Sequence, residues 1–258
     1  MNIKKLLAVL TLVLVVAAAG AAQPQPTLEF EVRSVPFKMI LVEHGTFTMG
    51  GTSEQDEPWA DEQPAHQVTL TRDYYIAETE VTEALWTAVT GGVPCYYPSG
   101  GNYPVEGVSW DACQDFIKKL NMLTGKKFRL PTEAEWEFAA RGGNKSQGYI
   151  YSGGNNPDEV AWHRHDSNRA KHPVATKRPN ELGIYDMSGN VCEWCMDGYG
   201  KYTGEPQADP VAPSSSSRVQ RGGAWYHNAW NGRVSARFNN SQDNRNGSMG
   251  LRLVLVIE

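Results

Sequence analysis

The chain places short helix and strand patterns between long segments rich in glycine and asparagine, and this layout most constrains its fold. Thr82 and Ser109 can each cap a short amphipathic helix, and Thr132 with Glu135 forms the capping box of a third. Residues 143–179 are polar and follow neither the helix period nor the strand period. Because strands and helices do not alternate regularly, the sequence predicts a loop-rich α+β fold with short antiparallel strands and excludes a parallel α/β sheet.

The N-terminus has the pattern of an export signal. Two lysines precede an apolar run at residues 6–16, and small residues follow it. This pattern predicts a cleaved signal peptide at residues 1–22, and a mature protein without a membrane span. We expect the protein to be secreted, held at the cell surface or periplasmic. Residues 23–34 are predicted to be a linker, and one domain is predicted at residues 35–258.

Charge is distributed unevenly along the chain. The whole sequence has a net charge of -5, whereas residues 218–258 contain six arginines, no lysine and two acidic residues. An acidic body argues against a nucleic-acid partner. The arginines in the C-terminal segment are therefore interpreted as ion-pair partners within the structure.

The same C-terminal segment is rich in asparagine and aromatic residues. Asparagines alternate there with Trp225, Tyr226, Trp230 and Phe238. Tyrosine and tryptophan supply rigid contact area, and asparagine, serine and glycine supply adaptable hydrogen bonds. This composition is typical of a binding surface and unusual for a core.

Cysteine spacing offers two interpretations at Cys192 and Cys195. The spacing matches a zinc knuckle or a thioredoxin motif, but no second pair completes a zinc set. Residues three apart on an extended strand point to opposite faces, so the two thiols would not bridge there. We expect small buried residues.

Two further groups have ordinary interpretations. His163 and His165 lack a third ligand nearby in sequence, so solvent-exposed histidines are expected rather than a metal site. Glu133, Glu135 and Glu137 lie in the first turns of a predicted helix, where acids stabilise the helix dipole. This interpretation is preferred to paired catalytic carboxylates.

Seven motifs resemble, in their order and spacing, the formylglycine-generating-enzyme or sulfatase-modifying-factor family. The resemblance covers residues 35–258 and implies a single domain with a loop-rich variant of the C-type lectin fold. The motifs are Gly45–Gly50, Glu78–Thr82, Pro104–Trp110, Arg129–Gly143, Gly183–Trp194, Arg221–Gly223 and Gly250–Arg252.

Enzymes of that family oxidise a substrate cysteine with two copper-binding cysteines that follow the Arg-Gly-Gly motif. Residues 224–237 contain no cysteine, and Gly232 stands where many relatives have one. Soft thiolates are the ligands that Cu(I) requires, so no copper and no oxidase activity by that route are expected. An oxidase or sulfatase-maturation factor with an altered site, or a structural subunit of an envelope complex, remain the alternatives.

The tail resembles the variable proteins of diversity-generating retroelements, in which template mutagenesis rewrites chosen codons. The resemblance implies a variable region at residues 218–253 that binds a protein or glycan ligand. The constant frame would include Arg221, Gly222, Gly223, Trp225, Arg233, Arg237, Gly250 and Arg252. The predicted ligand-binding residues are Tyr226, His227, Asn228, Trp230, Asn231, Gly232, Ser235, Phe238, Asn239, Asn240, Ser241, Asn244, Asn246, Gly247 and Ser248.

The resemblance also implies a structural calcium ion. Hard oxygen ligands, carboxylates and backbone carbonyls, suit Ca²⁺. The alternatives are that the aspartate of this set caps a turn and that the glutamate pairs with an arginine. The implied ligands are Asp186, Met187, Gly189, Val191 and Glu193.

Overall fold

A computed structural model describes residues 26–55 and 57–257. Within them lie four α-helices and twelve short strands. The helices are α1 (Glu83–Thr90), α2 (Trp110–Thr124), α3 (Glu133–Ala140) and α4 (Pro157–Val160). The strands are β1 (Thr27–Val32), β2 (Val35–Val42), β3 (Gly45–Met49), β4 (His66–Leu70), β5 (Tyr74–Ala77), β6 (Phe128–Arg129), β7 (Cys192–Gly198), β8 (Gln207–Ala208), β9 (Ser217–Arg221), β10 (Phe238–Ser241), β11 (Met249–Gly250) and β12 (Val254–Leu255).

The strands of the described residues form three small, mainly antiparallel sheets. Their orders are β1-β2-β5-β12-β6, β10-β9-β7-β11 and β3-β4-β8. Strand β12 lies between β5 and β6 in the largest sheet and pairs antiparallel with both. The mixed α+β architecture predicted from the sequence is confirmed.

The three predicted helices begin and end where the sequence places their caps. Thr82 accepts a hydrogen bond from the backbone N–H of Leu85, and Ser109 accepts one from Ala112. Helix α1 ends at Gly91 and α2 at Gly125, both with left-handed backbone conformations that favour glycine. At α3, the capping box between Thr132 and Glu135 is present.

The prediction of a linker at residues 23–34 is wrong for residues 27–32. Residues 27–32 form β1, which pairs antiparallel with β2 at the edge of the five-stranded sheet. Phe30 stacks on Phe37 with ring centroids 5.4 Å apart and contacts Phe128 edge-on. The alternation of Leu28, Phe30 and Val32 with polar residues is a strand period, and the domain begins with it. The predicted signal peptide lies outside the described residues.

Two apolar clusters form the main core. One surrounds α1 and α2, where Trp86 stacks on Phe116 at 4.7 Å. The other packs α3, through Trp136 and Phe138, against the sheets. Cys192 and Cys195 are buried and free, as the spacing argument predicted.

Residues 143–179 are largely irregular, as predicted, although the four-residue helix α4 lies within them. The expectation for His163 is wrong, because its side chain is buried and its Nε2 lies 2.9 Å from Asp158 Oδ1. His165 is exposed as expected. None of the described helices is long and apolar enough to cross a membrane.

Candidate ligand-binding face

Buried ion pairs hold the C-terminal segment to the rest of the domain. Four of its arginines are at most 3% exposed, and each contacts a buried glutamate from elsewhere in the chain. The pairs are Arg221 with Glu137, Arg233 with Glu62 (Nη2–Oε1 2.5 Å), Arg237 with Glu133 (Nε–Oε1 2.7 Å) and Arg252 with Glu193 (Nη2–Oε1 2.7 Å). The interpretation of these arginines as structural ion-pair partners is therefore confirmed.

Helix α3 supplies two of these glutamates. Glu133 receives Arg237, Glu137 receives Arg221, and Glu135 binds Arg129 at 2.6 Å. Glu133 and Glu135 lie in the first turn of α3 as predicted, and all three carboxylates also bind arginines, which the helix-dipole interpretation did not include. Arginine charges hold the pKa of Glu133 below its usual value although burial, the largest influence, acts to raise it.

Other guanidinium donors of these arginines bind backbone carbonyls, some within the same segment and some outside it. Arg221 Nη1 donates to the carbonyls of Ser235 at 2.9 Å and Ala236 at 2.6 Å. Glu62, in turn, accepts a hydrogen bond from Ser235 Oγ at 2.6 Å as well as binding Arg233. Charge-assisted bonds of this kind fix the path of a segment that has little regular secondary structure.

A close backbone approach shapes the start of the segment. Gly223 has φ +72°, and a Cβ there would lie 2.8 Å from the carbonyl oxygen of Asn231. Only glycine fits this conformation and this distance. The Arg-Gly-Gly motif therefore packs directly under the 3₁₀ turn at Ala229–Gly232.

Above this frame, six aromatic side chains form a continuous row, which we call the aromatic ridge. Consecutive ring centroids lie between 4.2 and 6.3 Å apart, in stacked, tilted or edge-on contact. Tyr97 is 60% exposed and Tyr226 is 42% exposed, so part of the ridge faces solvent. In spatial order the ridge contains Trp59, Phe238, His227, Tyr226, Trp225 and Tyr97.

The profile of the Sulfatase-modifying factor enzyme 1-like domain matches residues 25–257. The chain belongs to this family. It is 31% identical to the Chaperone protein LppX of Paenibacillus barcinonensis, over 84% of this chain and 88% of that protein. It is 30% identical to the Formylglycine-generating enzyme of Streptomyces coelicolor, over 91% of this chain and 93% of that enzyme.

Two solved structures are similar to this chain over nearly its whole length. Treponema denticola variable protein 1 superposes with a TM-score of 0.82 at 31% identity, covering 90% of this chain and 99% of that one. PvdO from Pseudomonas aeruginosa superposes with a TM-score of 0.78 at 25% identity, covering 91% and 100%. The predicted family and its resemblance to variable proteins are confirmed.

Most of the predicted ligand-binding residues reach the surface of this family domain. Tyr226, Asn228, Asn239, Ser241 and Asn244 are exposed. Those partly exposed are His227, Trp230, Asn231, Phe238, Asn240, Asn246 and Gly247.

Three predicted binding residues lie in the interior, and their assignment is corrected. Ser235 donates to Glu62, and the Gly232 carbonyl accepts a hydrogen bond from Ser188 at 2.6 Å. Ser248 is 2% exposed and donates to Asn246 Oδ1 at 2.7 Å. All three residues are buried and do not present a side chain to a ligand.

The structure adds to the face residues that sequence reasoning missed. Trp59 contacts Phe238 at 5.7 Å between ring centroids, and Tyr97 contacts Trp225 at 6.3 Å. Tyr96, beside Tyr97, is 52% exposed. These residues lie far from the C-terminal segment in the sequence, and their only signal was aromatic side chains within polar, Gly- or Pro-containing loops.

One thiol lies beneath the ridge. Cys192 Sγ is 4.0 Å from His227 Nδ1. Burial raises the pKa of the Cys192 thiol to about 12 and lowers the pKa of His227. Both groups are therefore neutral at pH 7, a state that does not favour a nucleophilic thiolate.

The predicted calcium ligands lie around Asp186, which is buried. Asp186 Oδ2 accepts a hydrogen bond from the backbone of Ala175 at 2.7 Å. Burial raises its pKa to about 6. Glu193 is engaged differently, since Arg252 and the indole N–H of Trp136 bind its carboxylate. The arginine pairing that the sequence left open as an alternative is thus present.

Glu80 is a third buried acid next to these two. Burial, then the charges of Asp186 and Glu193, raise its pKa well above its usual value. Arg252 is a fully buried cation beside these three carboxylates, and the raised pKa of Glu80 favours its neutral form. The hard oxygens of the Asp186 carboxylate and of backbone carbonyls are ligands that suit Ca²⁺. The calcium ion remains a prediction.

The frame makes a stability prediction. Arg233→Met leaves Glu62 buried without its cation, and we expect the free energy of unfolding to fall by about 3–5 kcal/mol. Urea denaturation followed by circular dichroism measures the loss. Glu29→Gln, which removes the exposed Lys38–Glu29 pair, is the control and should change stability little. Unchanged stability of Arg233→Met would contradict the role assigned to the frame.

Proposed function

We propose that this chain is an exported binding protein whose C-terminal segment contacts a protein or glycan ligand at the aromatic ridge. The observation that carries the proposal is a row of aromatic rings, part of which faces solvent, fixed on a buried frame of ion pairs. Tyr97, Tyr226 and the asparagines beside them offer side chains that are free to meet a partner.

The energetics of binding favour this arrangement. Aromatic and arginine side chains dominate the free energy of most interfaces, and neighbouring polar residues exclude water around them. A segment that is already ordered loses less conformational entropy when it binds. The ion pairs of Arg221, Arg233 and Arg237 supply that order before any ligand arrives.

The ridge can be tested with two probes, a phage-displayed library of random peptides and a glycan array. Tyr97→Ala/Tyr226→Ala should bind the selected ligands about tenfold more weakly than the wild-type chain, since each ring is an exposed aromatic anchor. Biolayer interferometry on purified proteins measures the difference.

The matched control for the ridge variant is Met122→Ala/Leu123→Ala, which removes exposed apolar side chains from the end of α2. It should bind as the wild-type chain does. If the ridge variant and the wild-type chain bind every selected ligand equally well, the proposal fails.

We further propose that the exposed positions of residues 218–253 are diversified. The separation of roles in the structure supports this. The ion-paired Arg221, Arg233 and Arg237 are buried. The side chains of Asn228, Asn239, Ser241 and Asn244 are exposed and can change without breaking an ion pair. Asparagine codons begin with two adenines, so adenine-directed mutagenesis would rewrite such positions.

Diversification has a direct test in the DNA around the coding sequence. We expect a near-copy of the codons for residues 218–253 close to a reverse-transcriptase gene, differing only where the copy has adenine. Codons of the buried Arg221, Arg233 and Arg237 should be identical in both. Sequencing of the locus that finds no such copy would contradict diversification and leave ligand binding to stand alone.

A structural calcium ion completes the proposal. Asp186, with the backbone carbonyls of Met187, Gly189 and Val191, would hold it, and Glu193 would stay with Arg252. Binding to the folded state alone should raise the melting temperature with the logarithm of the Ca²⁺ concentration above its Kd. Differential scanning fluorimetry with Ca²⁺, Mg²⁺ and EDTA measures this, and Asp186→Asn should lose the increase. A wild-type melting temperature independent of Ca²⁺ would contradict the site.

A further inference from the structure

Strand β10 lies at the edge of its sheet and carries one side of the ridge. It pairs antiparallel with β9, which lies between β10 and β7. Phe238 begins β10 and contacts His227 and Trp59 in the ridge. In the described part of the chain, no strand pairs with the other edge of β10.

Two observations show which residues of β10 point away from β9. The carbonyl of Ser217 in β9 accepts a hydrogen bond from the backbone N–H of Tyr199, which follows β7. The backbone polar groups of Ser217 therefore point toward β7 and away from Ser241, its partner residue in β10. Ser241 itself bonds locally, through its N–H to Asn240 Oδ1 and its carbonyl to Asn244. Backbone groups two residues apart on a strand point the same way, so Asn239 also faces outward.

The outward groups of Asn239 are available to a partner. Asn239 is exposed, and outside the pairing of β10 with β9 its N–H and carbonyl make no backbone–backbone hydrogen bond among the described residues. Sheet edges are usually protected by proline, lysine, a bulge or a covering segment. The sequence Phe-Asn-Asn-Ser of β10 contains neither proline nor lysine.

Charge near the ridge identifies the chemistry of that partner. Arg164, Arg169 and Arg245 are exposed, and none pairs with an acid in the described residues. Arg245 lies 5.7 Å above the ring of Tyr96. Between residues 225 and 250 the sequence has one acid, the exposed Asp243. Exposed arginines thus surround the part of the ridge from His227 to Tyr97, whereas Glu57 and Asp61 flank Trp59 at its other end.

The loop that carries two of these arginines is attached to the ridge. The backbone N–H of Arg164 donates to the carbonyl of His227 at 2.8 Å. Ser167 Oγ donates to the carbonyl of Trp225 at 2.7 Å and accepts from the backbone of Arg169 at 3.2 Å. These bonds place both arginine backbones beside ridge residues.

We propose that the ligand of this face is an extended, acidic polypeptide segment that adds a strand to the free edge of β10. This inference rests on the proposed binding function and names the class of its ligand. Main-chain hydrogen bonds to the N–H and carbonyl of Asn239 would hold the segment, its side chains would meet the ridge, and its carboxylates would meet the arginines.

Such a contact suits a face whose side chains change. Backbone hydrogen bonds do not depend on the residue at position 239, so strand pairing supplies affinity that survives diversification. Side chains at exposed positions then decide which acidic segment binds.

The test uses two substitutions at one position and linear peptides selected from the phage-displayed library. Asn239→Pro removes the outward N–H, which an edge strand tolerates on its solvent side. Asn239→Ala removes the side chain and keeps the N–H. We expect Asn239→Pro to bind the peptides about tenfold more weakly than Asn239→Ala. Equal binding by the two variants would overturn strand addition.

Circular dichroism and thermal melting check that Asn239→Pro stays folded. If it does not, N-methylation of the selected peptides replaces it, tested against the wild-type chain. Methylation of the one peptide N–H that donates to the Asn239 carbonyl should abolish binding, whereas methylation at the two neighbouring residues should not. Peptides that tolerate every single methylation would overturn the proposal.

The acidic character of the ligand has a separate measurement. Selected peptides should be rich in aspartate and glutamate, and their association rate should fall steeply with salt. Arg164→Gln/Arg169→Gln/Arg245→Gln should flatten that dependence. Neutral peptides, or an unchanged dependence in the triple variant, would overturn the charge assignment.

The outcomes separate this inference from the proposed function. If Tyr97→Ala/Tyr226→Ala abolishes binding while both Asn239 variants bind equally, the ridge stands and strand addition fails. Ridge-dependent binding to array glycans without any peptide binding would likewise overturn strand addition and leave the ridge standing. If the ridge variant binds every selected ligand as the wild-type chain does, the proposed function itself fails.

Discussion

The pairing of buried arginines with buried glutamates governs the rest of this structure. Removing a charge from water costs several kcal/mol, and the partner charge together with hydrogen bonds to the other donors offsets that cost. Here Arg221 binds Glu137 and three backbone carbonyls, while its Nε lies 3.6 Å from Glu133 Oε1. A displaced segment would leave both charges without partners. The path of the C-terminal segment is therefore strongly specified, although few of its residues belong to helices or strands.

The buried ion pairs explain how a loop-rich surface can be rigid and still tolerate substitutions at its exposed positions. Substitutions are independent when the residues share no partners, and the exposed Asn228 and Asn239 share none with the buried ion pairs. Glu62 shows the opposite case, because it binds both Arg233 and Ser235. Changing Ser235 would remove one of the two donors to Glu62 Oε2, the other being Arg233 Nη1. A position is therefore constant when its side chain bonds to the buried ion pairs and changeable when it does not. Amino-acid composition does not reveal which positions make such bonds.

Local signals in the sequence predicted the helices and their caps because a cap such as Ser109 acts within its own turn. Motif order predicted the fold and the buried role of the arginines. Their partners could not be predicted, since Glu62 and Arg233 are 171 residues apart and nothing local joins them. For the same reason Trp59 and Tyr97 were missed as parts of the face. Ser235 was assigned to the ligand because its codon type fits diversification, whereas burial decides its role.

The position of β10 at the sheet edge also depends on the buried ion pairs. Strand β9 is held by Arg221 at its end, so it offers a fixed template on which β10 pairs. Phe238 then brings its ring to the ridge, while Asn239 turns its backbone groups to solvent. Covering that edge with another strand would have removed surface from the face. A family domain that keeps its frame buried and its edge open can therefore offer a ligand both constant backbone groups and changeable side chains.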